Sequence, residues 1–172
     1  FAFESIIHRN VGNYEAKDQM LGINHLKQMA FVDTTRIGLD GWSYGGFMVI
    51  NLMLQHPETF KVGCAGGPVC DWKYYEAMYG ERYMDTPEEN PEGYQNSSLL
   101  TQANRLKGRL LVIHCTTDPV VVWQNSIDFV QKCIEQGRLL DYFMYPGHDH
   151  NVAGKDRAHL IRKIEDYFER NL

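Results

Sequence analysis

The segment Gly41-Trp42-Ser43-Tyr44-Gly45 sets a serine between two aromatic residues and two glycines. A serine hydroxyl is a poor nucleophile at neutral pH. It needs a base to take its proton and donors to hold the oxyanion that forms. The spacing G-x-S-x-G serves both needs when it is a sharp turn from a strand into a helix. The turn lifts the hydroxyl out of the sheet, and small neighbours let strand and helix come close. The amide of the next residue, here Tyr44, then points at the developing oxyanion from the start of a helix. A plain tight turn is the alternative. The context favours the nucleophile, because an apolar run at 36–39 precedes the segment and a helix-like run at 47–55 follows it.

A base and an acid should follow on later strand ends, in the order Ser, Asp, His. The apolar stretch RLLVIHC ends in Thr116-Thr117-Asp118-Pro119, which puts Asp118 just past a carboxyl end. Asp118 read alone is also a suitable turn residue before Pro119. The stretch DYFMY ends in Pro146-Gly147-His148-Asp149-His150, so two histidines lie at the same edge. Standing two apart, they point different ways. His150 is the deeper, nearer Val152, and spacing favours it only slightly. Either could also be a solvated loop residue. His8, His25 and His56 belong to the wrong segments, His114 lies inside a strand and His159 on the last helix.

The elements that must position these groups alternate between strand and helix. Residues 13–30 carry Met20, Ile23, Leu26 and Met29 at helical spacing. Residues 61–66, 109–115 and 141–145 read as strands, and 122–136 as an amphipathic helix closed by Gly137. From residue 157 onward Leu160, Ile161, Ile164 and Phe168 share one stripe. This rhythm predicts an α/β fold, a mostly parallel sheet with helices on both faces. Residues 71–105, rich in Tyr, Glu, Pro and Asn, break it. They are expected to form irregular or short helical structure over the end of the sheet where sites collect.

Composition narrows the classes further. The chain has 172 residues, 44% hydrophobic and 23% charged, with a net charge of -5. That suits one globular domain or a large part of one, burying roughly 70% of its unfolded surface. Nothing favours nucleic acid or an anionic membrane surface as a partner. No apolar stretch reaches the ~18 residues of a membrane span. The chain opens on Phe1 with no signal peptide in view, so a cut or processed start is expected and the compartment is not legible. Cys64, Cys70, Cys115 and Cys133 fit no metal spacing and are expected to be buried free thiols. No metal or other cofactor is called for.

The stretches GWSYGGF, FKVGCAGGPVCDWKYYEAMYGERYM, HCTTDPVVVWQ and GHDHNV resemble the catalytic domain of the prolyl oligopeptidase clan, in its dipeptidyl peptidase IV branch. YGERYMDTPEENPEGY and DPVVVWQ are especially similar to the bacterial prolyl tripeptidyl peptidases. The resemblance covers essentially the whole chain. It implies an α/β-hydrolase fold and a serine exopeptidase that cleaves after proline through an acyl-enzyme. Ser43 matches the nucleophile, Asp118 the acid, His150 the base and the Tyr44 amide one oxyanion donor. Tyr44, Val69, Trp72, Tyr75, Tyr79 and Val121 match the pocket for the residue before the scissile bond. A flat pyrrolidine ring fills such an apolar box with aromatic walls, whereas WKYYEAMY on its own reads as core aromatics. Glu76, otherwise a solvated helix carboxylate, matches a group that holds the substrate's free amino terminus. Only a terminal ammonium would offset the desolvation of such a carboxylate.

The resemblance also implies what lies elsewhere. Residues 1–172 correspond to the carboxyl-terminal part of the catalytic domain, without the amino-terminal propeller and without the first strands of a sheet of about eight. The second oxyanion donor, a tyrosine hydroxyl from an earlier loop, falls outside the chain. Losing one such donor typically costs about 10²–10³ in turnover, so the piece alone is expected to be nearly inactive and to self-associate through its open sheet edge. Val120 stands where the mammalian dipeptidyl enzyme has an asparagine, which leaves dipeptide and tripeptide release both open. The resemblance suggests a bacterial periplasmic or surface location and a possible homodimer. Competing readings are an esterase or acylaminoacyl peptidase with the same triad, and a hydrolase-like binding module without turnover.

Overall fold

The computed structural model describes residues 5–172. Four strands form one parallel sheet in sequence order: β1 (Gly38–Trp42), β2 (Val62–Gly66), β3 (Arg109–Cys115) and β4 (Asp141–Tyr145). The register pairs Gly38 with Val62, Val62 with Arg109 and Leu111 with Asp141. Among the described residues six α-helices accompany them: α1 (Asn13–Leu26), α2 (Tyr44–Gln55), α3 (Ala77–Met84), α4 (Pro91–Ser97), α5 (Gln124–Glu135) and α6 (Asp156–Asn171). The expected α/β architecture is present, consistent with an α/β-hydrolase fold.

Strand alternation sorts the core into two layers. Ala65, Leu110 and Val112 face the layer that contains Phe47 and Ile50 of α2 and Phe129 and Cys133 of α5. Cys64, Leu111, Ile113 and Cys115 face the opposite layer, with Leu160 of α6 and, at its margin, Ile164 and Phe168. Helices therefore cover both faces. The predicted stripe on α6 needs one correction: Ile161 is exposed, because the helix turns it off the line of contact. Every residue of β2 is buried, while β1 is half-buried except at the exposed Asp40 and pairs only with β2 among the described residues.

The segment between β2 and β3 forms short helices, as expected. A 3-10 turn (Trp72–Tyr74), α3, α4 and a second 3-10 segment (Leu99–Arg105) follow one another. Proline at the first turn of α4 and the Asn90 side chain, which accepts from Gly93 N at 3.1 Å, start that helix. All four cysteines are buried free thiols. Burial pushes Cys64 and Cys133 up to about 12, so neither is a ready nucleophile. No helix among the described residues is long and apolar enough to cross a membrane.

Candidate active site

Ser43 sits at the junction where β1 ends at Trp42 and α2 begins at Tyr44. Its backbone is left-handed, φ 59° and ψ -119°, a conformation that an L-residue adopts only under constraint. Two bonds impose it. Ser43 N donates to Gly66 O at 2.8 Å, and Ser43 O accepts from Phe47 N at 3.0 Å. The glycines divide their work differently from the simple pattern. A Cβ on Gly41 would lie 2.4 Å from Gly45 O, so position 41 must be bare. Gly45 meets nothing; the close approach of helix to sheet instead depends on Gly46, whose Cβ would meet Gly66 O at 2.7 Å. As the first residue of α2, Tyr44 has an N–H with no partner inside the helix.

The carboxyl ends of the strands are stitched together beyond the ladders. Gly67 N donates to Ile113 O at 2.7 Å, and Thr116 N to Tyr145 O at 3.1 Å. Thr117 Oγ1 donates to His148 O at 2.7 Å, and Gly147 N to Thr116 Oγ1 at 2.9 Å. The loop that carries Asp118 is thus bound to the loop that carries both histidines.

Within that frame the Asp118 carboxylate meets His150, not His148. Asp118 Oδ2 lies 2.7 Å from His150 Nδ1. His148 instead pairs through Nε2 with Asp156 at 3.0 Å. Oδ1 of Asp118 accepts from Val120 N and Val121 N, both at 2.9 Å. Burial by itself would raise the Asp118 carboxyl. The hydrogen bonds from His114, His150 and the amides of Val121 and Val120 outweigh it and hold the group down at about 2. The carboxylate is therefore ionised and aimed.

His150 also borders the serine turn. Trp42 Nε1 donates to His150 O at 2.8 Å, and a Cβ on Gly67 would lie 3.3 Å from His150 Cε1. Gly66 and Gly67 flank Ser43 through the Ser43–Gly66 bond. The hydroxyl of Ser43 makes no hydrogen bond to His150 in this structure. Such bonds are often long in the free state and tighten when substrate binds.

The aromatic residues form one cluster beside this turn. Tyr44 and Trp72 have ring centroids 5.8 Å apart, Trp72 stacks on Tyr79 at 6.0 Å, and Tyr75 meets Tyr79 edge-on at 5.1 Å. Val69, Trp72 and Val121 are buried, whereas Tyr44, Tyr75 and Tyr79 are partly open. Trp72 Nε1 is buried without a hydrogen-bond partner. Glu76 is exposed, at the residue before α3, and its carboxylate caps nothing.

Sequence reasoning missed three contributors. Glu15 of α1 accepts a hydrogen bond from the Tyr44 hydroxyl, and its other oxygen accepts from Gly12 N at 3.0 Å. Asn125 Oδ1 accepts from Cys70 N at 2.9 Å and Asp71 N at 3.2 Å, fixing the segment that leads into Trp72. His114, set aside as a strand residue, lies 3.5 Å from Asp118. A weak signal exists for Glu15 alone, as a first-turn acid of α1.

A family model described as "Prolyl oligopeptidase family" matches residues 1–172. A crystal structure of Porphyromonas gingivalis dipeptidyl peptidase 4 superposes with a TM-score of 0.92 at 35% identity, covering 96% of this chain and 24% of that one. A Bacteroides ovatus protein described as a dipeptidyl aminopeptidase IV gives 0.99 at 53% identity, covering 100% of this chain and 24% of its own. Dipeptidyl-aminopeptidase B of Aspergillus niger is 41% identical over 150 residues, 86% of this chain and 17% of that protein. The chain thus spans about a quarter of the solved relatives and about a sixth of the curated ones.

Proposed function

The chain belongs to the prolyl oligopeptidase family, and on that premise we propose that its parent protein is a serine exopeptidase releasing di- or tripeptides from a free amino terminus by cleavage after proline. Ser43 attacks the scissile carbonyl while His150 takes its proton. The acyl-enzyme forms as His150 returns that proton to the leaving amine, and a water activated by the same imidazole releases the peptide. Asp118, bonded to Nδ1, keeps the proton-accepting Nε2 free and stabilises the imidazolium. The Tyr44 N–H serves the oxyanion.

The single observation behind this reading is the Asp118–His150 bond of 2.7 Å on a loop that Trp42 ties to the serine turn. The aromatic group of Tyr44, Trp72, Tyr75 and Tyr79, with Val69 and Val121, offers walls for a proline ring. Glu76, exposed next to Tyr75, would receive the terminal ammonium of the peptide in this reading. The half-buried edge of β1 suits further strands of the parent sheet. Dimer formation and export are carried by the family likeness alone.

The test uses the full-length protein. Turnover of chromogenic peptides ending in proline, one series two residues long and one three, is compared with simple esters in wild type and in Ser43→Ala, Asp118→Ala and His150→Ala. The expected result is strong proline preference lost in all three variants. Activity surviving Ser43→Ala would overturn the nucleophile, and ester turnover without proline preference would move the assignment to an esterase.

A further inference from the structure

His114 lies on β3, four residues before Asp118, and is completely buried. A buried imidazole must have both nitrogens served. Nδ1 is 2.6 Å from Ser126 Oγ, and Nε2 is 2.9 Å from Val121 O and 3.5 Å from Asp118 Oδ2. Both groups that face Nε2 are acceptors, so Nε2 carries a proton and Nδ1 accepts from the Ser126 hydroxyl. Strand alternation places the ring there, since Leu110, Val112 and His114 point to the α5 side of β3.

We propose that His114 is a positioning residue for the acid, its Nε2–H holding the turn of residues 118–121 from behind so that the Asp118 carboxylate stays turned toward His150. The proposal rests on the reading of Ser43, His150 and Asp118 as a catalytic triad. Oδ1 of Asp118 is fixed by two amides, but Oδ2, the oxygen that meets His150, faces only imidazoles among its hydrogen-bonding partners. His114 grips the turn mainly through Val121 O, the backbone of a buried pocket wall. One ring therefore links acid and pocket. The other ionisable groups at this point are Cys115 of β3, Tyr75 from the segment after β2 and Asp149 of the histidine loop. Burial pushes the Cys115 thiol up to about 11 and raises the Tyr75 phenol, so neither adds charge at neutral pH.

A histidine that merely filled the core would, on replacement, cost stability and leave the pH profile in place. Loss of a donor toward Oδ2 has another consequence. The carboxylate becomes more basic, the protonated form of His150 is favoured, and the acid limb of kcat/KM moves to higher pH.

The test measures kcat/KM against pH in full-length protein with a proline-ended chromogenic peptide. His114→Leu is expected to lower kcat/KM by about 10–100-fold, by analogy with the loss of partners that orient metal-binding side chains, and to raise the acid limb. His114→Gln, whose amide can donate into the same turn, should recover part of both. Ser126→Ala keeps the ring, frees its tautomer and should move the limb in the same direction by less. It also serves if His114→Leu does not fold. If Ser126→Ala, and His114→Leu where it folds, keep the wild-type limb while Ser43→Ala abolishes turnover, the positioning role is wrong and the triad stands. If Asp118→Ala retains turnover, the triad itself is wrong, and the role of His114 falls with it.

Discussion

The indole of Trp42 donates a 2.8 Å hydrogen bond to the backbone carbonyl of His150, across 108 residues of chain. Trp42 is the residue immediately before Ser43, so the proposed nucleophile and the loop of the proposed base share one tether. The ring is seated against Gly66, where an added Cβ would lie 1.9 Å from it. Strand β1 fixes the indole, and the indole fixes the loop.

Trp42→Phe keeps the aromatic packing and deletes that donor. One neutral hydrogen bond contributes about 1 kcal/mol, so thermal stability should fall slightly. The His150 carbonyl loses its anchor, and kcat should drop by roughly fivefold, the kinetic equivalent of that energy, with KM little changed. Steady-state kinetics beside a melting curve check this. An unchanged kcat would show that the threonine stitches alone hold the loop.

The strained backbone at Ser43 gives a prediction of opposite sign for stability and activity. A non-glycine residue at φ 59° and ψ -119° costs on the order of 1–3 kcal/mol. Glycine relieves that strain and returns part of it as chain entropy, about 0.5–1 kcal/mol. Ser43→Gly should therefore raise stability by roughly 1 kcal/mol while abolishing turnover, and Ser43→Ala should abolish turnover without the gain. Chemical denaturation of the two variants side by side separates them.

The positions of the candidate acid and base were readable in the sequence because each directly follows its strand. Asp118 and His150 stand where β3 and β4 give way to loops, and linear order places loop residues at one edge of a parallel sheet. The extent of β1 was less readable. Its polar Asp40 and bare Gly41 interrupt the apolar run at 36–39, yet the strand continues to Trp42, because a half-buried edge strand does not need an unbroken apolar sequence. His114 and Glu15 were not readable as parts of the site. Their roles come from partners on other elements, Ser126 at the start of α5 and Tyr44 at the start of α2. Only docking creates those pairs. Gly12 illustrates the docking: at φ 87° it lies so close to Phe47 of α2 that a Cβ would be 2.6 Å away, and Asn51 donates to its carbonyl at 2.7 Å.

Glu15 gives the next prediction. The hydroxyl of Tyr44 is tied to this carboxylate, and burial followed by that bond raises the phenol far above its usual range. Tyr44 thus stays a neutral donor, its ring held as one wall of the aromatic cluster. Glu15→Ala frees the ring. A hydrogen bond to a charged group contributes about 1.5–3 kcal/mol, and the loss should appear as a raised KM for proline-ended peptides, by roughly tenfold or more, with a smaller effect on small esters that do not fill the pocket. Glu15→Gln can still accept from the hydroxyl, but it loses the charge and turns its NH2 toward the Gly12 N–H, so it should recover only part. Equal losses on both substrate types would instead point to damage at the Tyr44 amide.

Asp118 links the site to acid stability. Its carboxyl is held at about 2 in the folded protein against an ordinary value of 3.8. A depressed folded value means the unfolded chain binds the proton more readily, so the contribution is fully present above pH 3.8 and is lost as pH falls through about 2. The size is on the order of 2 kcal/mol, since each tenfold difference in proton affinity between the two states is worth about 1.4 kcal/mol. Asp118→Asn does not titrate in this range. It should be less stable than wild type at neutral pH, the gap narrowing below pH 4 and closing near pH 2, as urea transitions followed by tryptophan fluorescence would record. The same variant can present an N–H to His150 Nδ1, selecting the wrong tautomer, so kcat should fall by about 10⁴. A stability gap that stayed constant from neutral to acid pH would mean that the charge of Asp118 contributes nothing to the fold and that only its shape is used.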